Sequence, residues 1–205
     1  MEKSRLLLIF TRNPELGKCK TRLARTVGEE AALEIYKILL AQTDAATRGL
    51  ATEKWVCYTE HVAEQDQWDP QVYRKIEQRG STLGERMEHA FREGFANGYK
   101  DVVIIGSDLY DLSQADLEEA FNLLGENDFV IGPAADGGYY LLGMKAPCDR
   151  LFHNKDWGSP SVLEDTVQDL ENKKVAFLPV KNDVDVYEDL LGIPAFQPYI
   201  KHSEK

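Results

Sequence analysis

The sequence predicts an α/β fold with a mostly parallel sheet covered by helices on both faces. Three observations carry this expectation. Apolar runs of strand length recur along the 205 residues, with segments of helical periodicity between them. Two of those runs pass directly into glycine and then into carboxylate. Val102-Val103-Ile104-Ile105 leads into Gly106-Ser107-Asp108-Leu109-Tyr110-Asp111, and Phe129-Val130-Ile131 leads into Gly132-Pro133-Ala134-Ala135-Asp136-Gly137-Gly138-Tyr139. In open α/β sheets, ligands bind in the crevice at the carboxyl ends of the strands. Acidic loops there can hold a divalent cation and a phosphorylated ligand.

The elements follow in order. Residues 5–10 read as a buried first strand, and 11–23 as a loop broken by Pro14 and Gly17. Residues 29–47 read as a helix whose apolar positions Ala32, Ile35, Tyr36, Leu39 and Leu40 share one face. Residues 54–59 are strand-like, 61–70 form an acidic loop and 72–78 a short strand. A helix is expected over 83–95, ending near Gly94 or Gly98, and a central strand over 101–106. Ser113 and Asp116 form an imperfect capping box for a helix reaching about Leu124. Strands follow at 128–132 and 139–144; too few residues separate them for a parallel crossover, so they are hairpin partners or one bent strand. Ser161 is expected to cap a helix to about Leu170, followed by a strand over 174–180 and a short helix over 186–191. One domain over 1–192 is expected, with 193–205 a peripheral tail.

The net charge is −11, which disfavours nucleic acid and anionic membranes as partners. The charge is uneven. Residues 1–25 hold seven cations and two carboxylates, a local +5, so the other 180 residues hold −16. Such a basic loop on an acidic body suits a small anion. Cys19, Cys57 and Cys148 are odd in number and form no CxxC, which argues against a disulfide scaffold or a zinc knuckle. No apolar run is long enough for a signal peptide or a membrane span, so a cytoplasmic location is the expectation.

Four loops are candidates for chemistry. In the first, Gly17 allows close backbone approach, and Lys18, Lys20 and Arg22 can surround a phosphate. The loop is neither a P-loop nor GxGxxG, since Arg12 and Cys19 stand where the former needs Gly and Ser or Thr. In the second, Asp108 and Asp111 can face one cation, although Asp111 serves nearly as well as a turn former. In the third, Asp136 precedes Gly137 and Gly138, which either admit a ligand or close a hairpin turn. Tyr139 and Tyr140 point to opposite faces of an extended segment, so one of them lines the pocket. In the fourth, Asp183 and Asp185 alternate, so at most one faces the site.

In this order, the motifs resemble the nucleotide-diphospho-sugar transferase superfamily, in particular an uncharacterised bacterial branch labelled glycosyltransferase. The residues are Phe10-Thr11-Arg12, Pro14, Gly17-Lys18-x-Lys20-Thr21-Arg22-Leu23, Leu83-Gly84-Glu85-Arg86-Met87, Gly106-Ser107-Asp108, Gly132-Pro133-Ala134-x-Asp136-Gly137-Gly138-Tyr139-Tyr140 and Asp183-Val184-Asp185. The set is also similar to phospholactate guanylyltransferases and molybdopterin nucleotidyltransferases. The resemblance implies a GT-A-type, three-layer α/β/α fold with a nucleotide across the strand ends. It implies Mg²⁺ or Mn²⁺ at Asp108 and Asp136, with Asp111 and Asp185 as secondary candidates. It implies that Lys18, Lys20 and Arg22 handle phosphate, and that Arg12, Gly17, Gly106, Ser107, Gly132, Pro133, Gly137, Gly138 and Tyr139 line the nucleotide site. Two departures stand out. Leu109-Tyr110 replaces the Cys-Pro common in relatives, so a bulky ring would narrow the cleft if it pointed inward. Val186 replaces a common Thr.

The expected function is a metal-dependent nucleotidyl- or glycosyltransferase acting on a nucleoside triphosphate or nucleotide sugar. The alternative is a non-catalytic nucleotide- or partner-binding module on a degenerate transferase fold. The acceptor and the oligomeric state are left open by the sequence.

Overall fold

The computed structural model describes residues 4–200. Seven strands form one sheet: β1 (Arg5–Thr11), β2 (Glu53–Tyr58), β3 (Arg74–Glu77), β4 (Asp101–Ile105), β5 (Phe129–Pro133), β6 (Tyr139–Met144) and β7 (Val175–Phe177). Their spatial order is β3-β2-β1-β4-β6-β5-β7. All neighbours pair in parallel except β6, which is antiparallel to both β4 and β5. The fifth and sixth strands are therefore hairpin partners. The chain walks outward from β1 through β2 to β3, then returns to β1's other edge with β4. That reversal opens a crevice between the carboxyl ends of β1 and β4, and such a switch point is where ligands bind.

Alternation along the strands fills both layers. Leu7 and Ile9 of β1 face one core with Val103 and Ile105 of β4, while Leu6 and Leu8 face the other with Val102 and Ile104. The first core is closed by α1 (Thr21–Val27), α2 (Glu29–Arg48) and α4 (Gln114–Glu126), which contribute Leu23, Tyr36, Leu39 and Phe121. The second is closed by α3 (Leu83–Ala96), a 3₁₀ turn at Asp149–Phe152 and α5 (Val162–Asp169), through Met87, Phe91 and Leu151 and the partly buried Leu163. The result is the expected three-layer α/β/α arrangement.

Local chemistry sets the helix ends. The Ser113 hydroxyl accepts from Asp116 N–H, and the Asp116 carboxylate accepts from Ser113 N–H, so the capping box is complete. Thr82 and Glu85 form a second one that opens α3. Two expectations need correction. Ser161 stands at the N-cap of α5 as expected, but with αR backbone angles and no capping hydrogen bond from its side chain; its hydroxyl donates to Asp165 instead. The stretch 11–23 is not all loop, because α1 begins at Thr21 and breaks from α2 at Gly28.

The tail is not peripheral as far as Ile200. A 3₁₀ segment, Pro194–Tyr199, inserts the fully buried Phe196 beneath Tyr110, with ring centroids 5.1 Å apart. Truncating a buried Phe to Ala typically costs about 3–5 kcal/mol, so this segment belongs to the core. Residues 201–205 of that tail lie outside the described residues.

Candidate active site at the strand ends

A cleft of about 510 Å³ lies over the carboxyl ends of β1 and β4. It gathers Arg12 from the end of β1, Gly106, Ser107 and Asp108 from the end of β4, Asp136, Gly138 and Tyr139 from the β5–β6 turn, and Asp183 from the segment after β7. Residues distant in sequence meet here because their loops are stitched together by main-chain hydrogen bonds. Val184 N–H donates to the Asp108 carbonyl at 3.0 Å. Lys181 N–H donates to the Pro133 carbonyl at 3.1 Å, and Ala135 N–H to the Lys181 carbonyl at 2.9 Å. The three aspartate-bearing loops thus extend the sheet beyond its strands.

Tyr36 of α2 ties the cationic side to this assembly. Its hydroxyl accepts from Arg12 N–H at 2.9 Å and lies 3.2 Å from both Thr11 Oγ1 and Ser107 Oγ. Burial, reinforced by the nearby Asp108 charge, pushes this phenol up to about 12, so it is a neutral brace at physiological pH. Nothing about Tyr36 beyond its helical spacing announced this role.

Asp183 is the site's most informative side chain. Burial pushes its carboxyl up to about 7, and the charges of Asp108 and Asp136 add to that. Its Oδ1 is buried without a hydrogen-bond partner among the described residues. An orphaned buried acceptor among like charges is a costly arrangement in a folded protein, and a cation relieves it. The donor set is all oxygen, which suits Mg²⁺ or Mn²⁺. Of the alternating pair, Asp183 lines the cleft. Asp185 instead accepts from Arg22 at 3.1 Å on the rim, which corrects its candidacy as a metal ligand.

The cations of the first loop divide. Lys20 adopts a left-handed conformation (φ 49°) and buries its ammonium 3.2 Å from Asp108. Such a conformation is unfavourable for a residue with a Cβ, and the ion pair offsets it. Arg22 is held by Asp185. Lys18 does not reach the cleft; Glu15 at 2.8 Å and Glu60 at 3.1 Å engage it on an exposed surface. The grouping of all three around one phosphate therefore needs correction, since each already faces a carboxylate.

Several expected lining residues are packing residues. A Cβ on Gly132 would stand 2.5 Å from the Tyr140 ring, so that glycine admits a tyrosine rather than a ligand. Gly137 (φ 91°) lies against the Pro160 backbone, where a Cβ would meet the carbonyl at 2.3 Å. Pro133 is buried in β5, and Gly17 turns the first loop beside Glu29. Asp111 pairs with Lys181 at 3.5 Å, outside the cleft. Gly106 lines the cleft, and a Cβ there would meet nothing within 4 Å. Tyr139 and Tyr140 face opposite cores, as alternation requires, and both touch the cleft. Tyr110 turns away onto Phe196 and does not narrow the cleft.

Among the described residues no helix is long and apolar enough to cross a membrane. The cysteines are all free.

Comparison with known proteins agrees with this architecture. The crystal structure of a nucleotide-diphospho-sugar transferase candidate from Desulfovibrio desulfuricans G20 superposes with a TM-score of 0.85 at 34% identity, over 93% of this chain and 85% of that one. Rv0371c from Mycobacterium tuberculosis, in its complex with manganese, matches at TM-score 0.54 and 15% identity, over 92% and 96% of the two chains. The 4-diphosphocytidyl-2C-methyl-D-erythritol synthase of Anaerococcus prevotii matches at 0.56 and 10%, over 92% and 93%. These two distant likenesses show the fold alone. No curated protein matches the sequence. A family model covers residues 39–159, more than half of the chain. With the nucleotide-diphospho-sugar transferase fold in place, the chain belongs to the bacterial family described as "Uncharacterized protein conserved in bacteria (DUF2064)".

Proposed function

We propose that this protein is a divalent-metal-dependent transferase acting on a nucleoside triphosphate or nucleotide sugar, with nucleotidyl transfer as the favoured reaction. The observation that carries this reading is the buried Asp183 Oδ1, without a hydrogen-bond partner among the described residues, on a side chain that lines the same cleft as Asp108 and Asp136. Asp108 and Asp183 would hold Mg²⁺ or Mn²⁺, with Asp136 completing the acidic side. The metal, when bound, supplies positive charge against the substrate phosphates. A manganese complex of Rv0371c, a protein of the same fold, is consistent with that choice of ion.

In nucleotidyl transfer an acceptor phosphate oxygen attacks the α-phosphorus, the bond to the bridging oxygen breaks, and pyrophosphate leaves. The acceptor phosphate is already anionic, so no side-chain base is required. What this chain contributes is position and charge. Lys20, beside Asp108, places an ammonium at the edge of the acidic group. Arg12 lines the cleft with its main chain braced by Tyr36, so its guanidinium is available to phosphate. Glycosyl transfer to a neutral hydroxyl would instead call for a base, and each cleft carboxylate is better employed on the cation.

The deciding experiment incubates the protein with a panel of nucleoside triphosphates, nucleotide sugars and Mn²⁺, and analyses the products. Pyrophosphate release supports nucleotidyl transfer, and nucleoside diphosphate release supports glycosyl transfer. Metal-independent thermal stabilisation by nucleotide with no turnover would overturn the catalytic reading in favour of a binding module.

A further inference from the structure

The cleft also has an apolar and aromatic lining. Phe10, Leu83, Met87, Tyr139 and Trp157 contribute it, and Leu83 is 47% exposed. Trp157 stands edge-on to Tyr139, with ring centroids 6.5 Å apart and planes at 83°. Gly84 makes this wall, because a Cβ at that position would lie 2.8 Å from the indole Nε1 and 2.4 Å from the Phe152 carbonyl. Only a residue without a side chain lets the first turn of α3 rest against Trp157.

Arg86 sits on that same turn and lines the same cleft. Its Nε donates to the Gly80 carbonyl at 3.0 Å, which anchors the guanidinium on the helix that the Thr82–Glu85 box opens. Among the described residues it has no carboxylate partner. The cations singled out in the first loop differ, since Lys18, Lys20 and Arg22 each face one. In a chain of net charge −11, an anchored, uncompensated guanidinium in a cleft is arranged for an incoming anion.

We propose that Arg86 and Trp157 form a subsite for a flat ring carrying an anionic substituent, with the ring against the Leu83–Met87–Trp157 wall and the anion on Arg86. This rests on reading the cleft as a transferase site and names the chemical class that its aromatic wall accepts. The ring can belong to the nucleotide or to the acceptor.

Trp157 reports on its own occupancy. Trp55 and Trp68 are fully buried, while Trp157 is partly exposed in the cleft. The test titrates the full-length protein with phenyl phosphate, inorganic phosphate and phenol, reading tryptophan fluorescence. Saturable quenching by phenyl phosphate is expected, at lower concentration than for either fragment. Arg86→Gln should weaken it about tenfold or more, and Arg86→Lys should weaken it less. Calorimetry on Trp157→Leu should show a comparable loss. Wild-type quenching that never saturates, or equal phenyl phosphate affinity in Arg86→Gln, would overturn the proposal. Mn²⁺ binding to the same Arg86→Gln sample, read by electron paramagnetic resonance, separates the two readings. Loss of phenyl phosphate binding with Mn²⁺ binding intact locates the defect in this subsite, whereas wild-type protein that binds phenyl phosphate but no Mn²⁺ breaks only the metal-dependent reading. Competition with nucleoside triphosphates assigns the ring: displacement places it in the nucleotide, and simultaneous binding places it in the acceptor.

Discussion

Two acidic clusters in this molecule invite comparison. Glu15, Glu60 and His61 bring their ligand atoms within 4.8 Å of one another, and among the described residues theirs is the compact group of that kind. Asp108, Asp136 and Asp183 are more open, yet they share a cleft. The first cluster has already resolved its charge. Lys18 bridges Glu15 and Glu60, and its hydrogen bond holds the Glu15 carboxyl below the usual range. The second retains a carboxyl raised by burial and by its neighbours, with a buried oxygen that has no hydrogen-bond partner among the described residues. Compactness alone does not make a metal site. Uncompensated burial at a strand-end crevice is the stronger sign, and Mg²⁺ needs only one or two protein carboxylates when phosphates and water complete its shell.

The largest effect that can break this comparison comes from Asp108→Asn. Turnover should fall about a hundredfold or more, with Mn²⁺ affinity reduced. The buried Lys20 ammonium also loses its counter-charge, so binding is measured below the lowered melting temperature. Unchanged turnover would remove Asp108 from the site.

Next is Asp183→Asn, for which about tenfold weaker Mn²⁺ binding is expected by calorimetry. Its effect on stability has the opposite sign. The folded chain keeps this proton up to about pH 7, whereas an unfolded chain releases it near the ordinary aspartate value of about 4. Between those values the folded state binds more protons, so the metal-free wild type loses stability as pH rises from about 4 to about 7, and the loss levels off above that. Asp183→Asn should flatten this decline and melt higher than wild type at pH 8 without metal. For the same reason, wild-type Mn²⁺ affinity should rise through pH 7. A variant that melts lower and binds Mn²⁺ equally well would contradict the assignment.

Tyr36→Phe sharpens the account at a smaller scale. Arg12 N–H loses its acceptor, a penalty of about 1–3 kcal/mol. The melting temperature should fall by about 2–4 °C for each kcal/mol lost. The smallest effect belongs to the other cluster: Glu15→Gln and Glu60→Gln should leave Mn²⁺ affinity within about twofold of wild type, as expected for exposed pairs with Lys18.

The central strands β1, β4, β5 and β6 were legible in the sequence because each is an apolar run, whereas β3, Arg74–Glu77, is mostly charged. The places of Asp108 and Asp136 in the cleft were legible because each lies in the glycine-containing loop that follows such a run. Asp183 and Asp185 could not be ranked by alternation alone; the Val184 N–H bond to the Asp108 carbonyl, made 76 residues away in sequence, decides which carboxylate enters the cleft. The pairs of Lys18 with Glu60, Lys20 with Asp108 and Arg22 with Asp185 were hidden for the same reason, since these partners come from remote loops. Gly132 and Gly137 show the limit of reading glycine as an invitation to ligand, because each makes room for the protein's own Tyr140 or Pro160. Phe196 was misjudged with the tail because two prolines outweighed one aromatic side chain that finds Tyr110.

The most direct test is a crystal of this protein grown with Mn²⁺ and a nucleoside triphosphate, with the anomalous difference density located. The account predicts an ion against Asp108 and Asp183, with phosphate oxygens completing its coordination. An ion lodged instead between Glu15, Glu60 and His61, with the cleft carboxylates free of metal, would contradict it.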